Sequence, residues 1–259
     1  MTEPKVRRED DRGVTRITLA APERRNALSK LLVGELRSII QAVAQDPEVR
    51  VVVLAADGPA FCAGGDLSEA SEGGTQGPGE ALLALLRSLL ELPQPVVGRI
   101  HAPVRAGGIG LVGACDLAIG VPRATFAFTE ARLGLTPAII SLTTLPLLSA
   151  RAASDLYLTG RTIDGEEAAE QGLLTRCVAE EELDAVVAEL AAALRETAPQ
   201  GLAETKQLLL GDRVRKLVQE GPALVDLSVR LFGSEQAQEG IRAFLERRSP
   251  SWQSSDTEP

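Results

Sequence analysis

Ala60-Phe61-Cys62-Ala63-Gly64-Gly65-Asp66-Leu67 follows closely on an apolar run, Val49 to Ala56, and the fold turns on reading the two together. The run reads as a buried strand. Adjacent glycines beyond it leave backbone N–H groups uncovered by side chains and free to face a ligand. A second cluster, Ala106-Gly107-Gly108-Ile109-Gly110, follows a second apolar strand, Val96 to Ile100. Two such loops can present two N–H donors to one oxygen, the arrangement that stabilises an oxyanion.

Working outward, Thr15 to Leu19 alternates polar and apolar residues, as a half-buried strand does. Leu32, Leu36, Ile39, Ile40 and Val43 recur at helical spacing. The pattern predicts an amphipathic helix over Ser29–Gln45, with Ser29 as N-cap and Pro47 beyond its end. Val51 to Ala55 is continuously apolar, as in a parallel strand covered on both faces. Ser68 to Glu80, rich in Gly, Ser and Glu, reads as a mobile loop. A helix over Ala81–Leu92 is stopped by Pro93 and Pro95. Leu111–Cys115 reads as a helix after the second glycine loop, and Leu117–Val121 and Ala124–Phe128 as strands. Strand–helix alternation of this kind predicts an α/β core. Past Pro137 the spacing is helical. The predicted faces are Leu183/Val186/Val187/Leu190/Leu194, Leu210/Val214/Leu217/Val218 and Ile241/Phe244/Leu245, before a polar tail with Trp252 as its anchor.

The 259 residues suffice for one large domain or a domain with a helical appendage, and 44% hydrophobic residues can fill a sizeable core. No apolar run is long enough to span a bilayer, and Met1–Arg12 lacks the apolar segment of a secretory signal. Cys62, Cys115 and Cys177 show no Cys-x-x-Cys spacing, so a reducing, cytoplasmic setting is expected. A formal charge of −9 argues against nucleic-acid binding and requires a local basic patch for any anionic ligand.

Three groups invite a chemical reading. Gly108-Ile109-Gly110-Leu111-Val112-Gly113 matches Gly-x-Gly-x-x-Gly, but His101 to Arg105 separate it from its strand, and the next strand ends in Gly120-Val121 without the acid a dinucleotide site needs. His101, the only histidine, would suit a general base for Cys62; nothing in the spacing joins them, and a structural loop histidine is the preferred reading. A single His with scattered Cys makes a zinc site improbable. Glu130, in Phe128-Thr129-Glu130-Ala131-Arg132-Leu133-Gly134-Leu135-Thr136-Pro137, has apolar neighbours. Desolvation there would raise its pKa toward the range useful for proton transfer, while a partner for Arg132 is the structural alternative.

Taken in order, these segments resemble the crotonase family, the enoyl-CoA hydratase/isomerase superfamily. The likeness runs from Pro22-Glu23-Arg24-Arg25-Asn26-Ala27-Leu28-Ser29 to Ala243-Phe244-Leu245-Glu246-Arg247-Arg248. Its most specific parts are Phe61–Leu67, the Ala106–Gly110 loop leading to Ala114-Cys115-Asp116-Leu117-Ala118, and Phe128-Thr129-Glu130 with Gly134 and Pro137. The resemblance implies an α/β, crotonase-like spiral of ββα repeats over residues 1–195 and a C-terminal helical trimerisation region over 196–259, assembled as a homotrimer or hexamer. It implies an acyl-CoA thioester substrate and no separate cofactor, CoA being part of the substrate. By position, Gly65 and Gly107 would form the oxyanion hole and Glu130 would be the acid/base. Asn26, Ala27, Leu28, Ala63, Gly64, Asp66 and Leu67 would bind substrate. Arg24, Arg25 and Lys30 would offer charge for the CoA phosphates, with Phe244 and Arg248 contributing from the last helix.

One departure bears on the reaction. Hydratases of the family hold the added water between two glutamates; the second matches Glu130, and the first falls at Gly110, which has no side chain. Water addition across the 2,3 double bond is the leading expectation. A Δ3,Δ2-enoyl-CoA isomerase using Glu130 alone, and a non-catalytic acyl-CoA binder, are the alternatives.

Overall fold

The computed structural model describes residues 3–66, 69 and 76–253. Strand β1 (Val6–Asp11) pairs antiparallel with β2 (Val14–Leu19). Helix α1 (Lys30–Ala44) starts at Ser29, whose side chain accepts the Leu32 N–H, and it buries Leu32, Val33, Leu36, Ile40 and Val43. Then come β3 (Val51–Ala56), α2 (Gln76–Glu91), β4 (Val96–Ile100) and β5 (Val104–Arg105). They are followed by α3 (Gly107–Ala114), β6 (Leu117–Gly120) and β7 (Phe126–Ala127). A 3₁₀ segment, Thr129–Leu133, precedes α4 (Ser141–Thr144), α5 (Ala150–Thr159), α6 (Gly165–Glu170) and β8 (Arg176–Cys177). The chain closes with α7 (Leu183–Arg195), α8 (Pro199–Phe232) and α9 (Glu235–Glu246).

The main sheet has the order β1-β2-β3-β4-β6-β8 and is parallel except for β1. β3 is buried along its whole length, as a strand covered on both faces must be. A second, smaller layer decides where the site lies. Here β5 and β7 pair in parallel, with Val104 opposite Phe126, and Cys62 bridges Val104 from the other side. Leu28 in turn bridges Gly65. Cys62, Val104 and Phe126 thus share one row, and three residues farther along each run stand Gly65, Gly107 and Thr129, with Glu130 next. Sites in parallel layers lie off the carboxyl ends of the strands.

Helix α8 packs against α2: a Cβ on Gly221 would stand 2.7 Å from Leu83 Cδ2, and Gly79 lies against Val225. The same helix sends Lys206, 5% exposed, into the core. Its ammonium reaches Asp116 at 2.7 Å and donates to the carbonyls of Leu89 (3.2 Å) and Gln94 (3.1 Å). Asp116 Oδ2 also accepts the Val96 N–H at 2.7 Å. A buried pair so fully bonded is strongly coupled to its surroundings, and removing one partner would strand the other charge.

Several expectations are corrected. β1 escapes periodicity because Arg7-Arg8-Glu9-Asp10 on a sheet edge carries no apolar alternation. The second glycine cluster is not a loop: α3 begins at Gly107. The predicted loop ends early, since Gln76–Glu80 form the first turn of α2; apart from Glu69, its remainder lies outside the described residues. In α9 the buried residues are Ala237, Gly240 and Ala243, while Phe244 and Leu245 are exposed, because close approach of Gly240 to the Leu133 backbone turns the small residues inward. Trp252 is exposed.

Candidate active site

A cavity of about 600 Å³ opens where the second layer ends. Gly65, Gly107 and Glu130 all line it. An ideal Cβ on Gly107 would stand 3.7 Å from the Gly65 nitrogen, so the two glycines lie close together in one wall. Gly107 occupies the first helical position of α3, where N–H groups have no intrahelical acceptor and the helix dipole is positive. Its predecessor Ala106 sits at φ 46°, a conformation costly for a residue with a side chain, which turns the chain from β5 into the helix. On the other run, Gly64 at φ +93° makes the bend that presents Gly65. Its approach to the Ala106 side chain is close enough to exclude a Cβ there.

Glu130 lies in the first turn of the 3₁₀ segment that follows β7. Its Oε2 is buried and meets no hydrogen-bond donor among the described residues. Desolvation raises its pKa to about 7, and a hydrogen bond from its own backbone opposes that shift only in part. The surrounding wall is largely apolar, with Leu82, Leu133, Leu135, Ile139 and Ile140. Arg132 is not its partner; its Nε donates to the Thr159 carbonyl at 2.9 Å.

The expected binding residues separate into groups. Leu28, Ala63 and Asp66 line the cavity; Ala27 and Gly64 do not. Asn26 is corrected to a structural role. It is 0% exposed, its Oδ1 accepts the Ala21 N–H, and its Nδ2 donates to the carbonyls of Asp57 and Ala60. Leu67 lies outside the described residues. Arg24 pairs with Asp66 at 2.6 Å, and Arg248 with Glu239 and Glu246. Arg25 and Phe244 line the cavity, whereas Lys30 does not.

Other residues were not legible beforehand. Arg105 stands in the wall but is anchored, donating to the carbonyls of Val104 and Thr125 and to Thr125 Oγ1; its position directly before Ala106-Gly107 is the only sequence cue. Glu69 lines the cavity and accepts the Lys30 N–H at 2.8 Å. Cys62 is fully buried and its thiol is pushed up to about 12 by desolvation, which makes it a poor nucleophile. His101 bonds the Gly58 carbonyl through Nε2 at 2.9 Å and does not line the cavity. Glycines 108, 110 and 113 serve packing within α3, where a Cβ would strike Cys62, Ile140 and Thr143 respectively. Among the described residues no cluster of His, Cys, Asp or Glu could hold a metal ion, and no helix is long and apolar enough to cross a membrane.

The enoyl-CoA hydratase/isomerase family model matches residues 9–255. The chain is 33% identical over 259 residues to the mitochondrial enoyl-CoA hydratase domain-containing protein 3 of Danio rerio, covering 96% of this chain and 87% of that one. It is 32% identical over 249 residues to carnitinyl-CoA dehydratase of Proteus mirabilis, covering 93% and 95%. The crystal structure of an enoyl-CoA hydratase from Mycobacterium avium superposes with a TM-score of 0.90 at 44% identity, over 97% of this chain and 100% of that one. A parallel-dominated α/β core with a helical C-terminal region is thus the crotonase fold, and the chain belongs to the enoyl-CoA hydratase/isomerase family.

Proposed function

We propose that the cavity binds an acyl-CoA thioester, that the N–H groups of Gly65 and Gly107 receive its carbonyl oxygen, and that Glu130 moves the proton at C2. The observation that carries this reading is a buried carboxylate, titrating near 7, in one cavity with two adjacent glycine amides. A thioester has weak carbonyl resonance, so its α-carbon is comparatively acidic. Two fixed donors lower the cost of the enolate further, and losing one such donor typically costs about 3–4 kcal/mol.

Hydration is the leading reaction. Water attacks C3 while Glu130 takes one of its protons; the π electrons move onto the thioester oxygen as an enolate; Glu130 then gives that proton to C2. The net change is one water added across the double bond. The names of the relatives, a hydratase-domain protein and a CoA dehydratase, support this direction. A second reading has its own observation. Gly110 bears no carboxylate and Ile140 lies against it, so Glu130 works alone, as in moving a proton from C2 to C4 of a 3-enoyl-CoA.

Separate incubations with a 2-enoyl-CoA and a 3-enoyl-CoA distinguish the two, since hydration removes the conjugated-thioester absorbance and isomerisation creates it. Binding without turnover of either, unaltered by Glu130→Gln, would make the protein a non-catalytic acyl-CoA binder instead. The C-terminal helices support self-association into a trimer or hexamer: Leu208 is 85% and Leu209 74% exposed on α8. Light scattering on the purified protein tests the assembly.

A further inference from the structure

Gly107 and Gly110 lie one turn apart on α3, so they share a face with about 5 Å between them. Gly107 faces Gly65; Gly110 faces Ile140. A Cβ on Gly110 would stand 2.6 Å from Ile140 Cγ2, 3.1 Å from Ile140 Cβ and 3.5 Å from Leu86 Cδ1. Ile140 is 3% exposed and is one of the residues lining the cavity that holds Glu130.

Ile140 is held in place. Its carbonyl accepts Thr144 Oγ1 at 2.8 Å, and Thr143 Oγ1 and the amides of Thr143 and Thr144 at 3.1 Å each. Thr143 Oγ1 also lies 3.1 Å from the Gly110 carbonyl, tying the two residues through one hydroxyl. The Thr144 hydroxyl shares a 2.5 Å hydrogen bond with Tyr157, whose ring packs on Phe128 at a 32° tilt with centroids 4.6 Å apart. Ile140 is therefore part of the core, and a larger group at position 110 could not push it aside cheaply.

We infer that Gly110 and Ile140 form a matched pair in which Ile140 determines acyl specificity: its branched side chain fills the space one helical turn from the Gly107 amide and limits the bulk a thioester can carry at C3. This rests on the acyl-CoA reading above. The favoured ligands are apolar acyl groups unbranched at C3.

Saturated thioesters test this without turnover. Calorimetric titration of the full-length protein with butyryl-CoA and 3-methylbutyryl-CoA gives a preference ratio for the unbranched acyl group. One methyl in an apolar pocket discriminates by about 10–200-fold, so Ile140→Ala is expected to shrink the ratio by at least about tenfold. An unchanged ratio in a folded variant overturns the inference while leaving the acyl-CoA reading intact. Failure of the unmodified protein to bind either thioester overturns that reading and this inference with it. Should Ile140→Ala not fold, Ile140→Leu keeps the volume but moves the Cγ2 methyl off Gly110, and the ratio should still fall. Thermal melts add a readout independent of ligand. Gly110→Ala should lower the midpoint, and adding Ile140→Ala should recover part of that loss; strictly additive losses would refute the pairing.

Discussion

The two walls of the cavity are built on opposite physical terms. The amide wall is backbone: Gly65 is exposed, with no atom of the described residues beyond its chain neighbours within 4 Å of where its Cβ would be, and Gly107 opens a helix. The carboxylate wall is side chain and mostly apolar, with Glu130 Oε2 buried beside Leu133, Leu135 and Ile140. A backbone donor is fixed by φ/ψ and cannot be deleted by a side-chain change, only displaced. A carboxylate is tuned by what surrounds it and can be deleted outright. Mutations should therefore report on the walls differently.

The strongest test removes the tuned group. Glu130→Gln should lower kcat by about 10²–10⁴-fold with thioester affinity retained, measured by steady-state kinetics and calorimetry. Displacing the fixed donors should come next. Gly64→Ala puts a side chain at φ +93° and 2.9 Å from the Ala106 Cβ, and should cost about 10²–10³-fold in kcat by shifting the Gly65 amide relative to Gly107.

The pH dependence sharpens the contrast, because the Glu130 carboxylate titrates and the Gly65 and Gly107 amides do not. Glu130 must be ionised to act as base, so kcat/KM should rise about tenfold per pH unit below about 7 and level off above it. Stability should run the other way. A folded-state pKa raised from 4.5 to about 7 favours the fold most below pH 4.5 and loses that contribution as pH rises through 7. Glu130→Gln should thus match the parent's melting midpoint near pH 4 and exceed it at pH 8, by about 3 kcal/mol in folding free energy.

The smallest effect belongs to Gly65→Ala. Its added Cβ meets no atom of the described residues beyond its chain neighbours within 4 Å, and it retains its N–H, so kcat should fall by less than about tenfold; a loss matching Gly64→Ala would mean that the open wall is more crowded than its geometry indicates.

Legibility followed the same division. Local signals located α1 to within a residue, because Ser29 caps it and Leu32, Leu36, Ile40 and Val43 repeat at helical spacing. Strand β3 is equally plain, since full burial of Val51–Ala56 demands continuous apolar residues, whereas two-residue β5 reads only as the stretch before the second glycine cluster. Glycine misled at Gly107, where low helix propensity is overridden by close packing of α3 on Cys62, Ile140 and Thr143. Asn26 read as a ligand residue only through its position in the family resemblance, and the tertiary fold shows its side chain buried against Ala21, Asp57 and Ala60.

Local patterns in the chain establish that two glycine clusters follow two buried strands and that one glutamate stands among apolar neighbours; each is a short-range matter of composition and spacing. That Cys62, Val104 and Phe126 share a row, which brings Gly65, Gly107 and Glu130 to one cavity, and that Ile140 occupies the space beside Gly110, follow from the three-dimensional packing. Register and interdigitation depend on residues distant in the chain, and no local periodicity encodes which of them will meet.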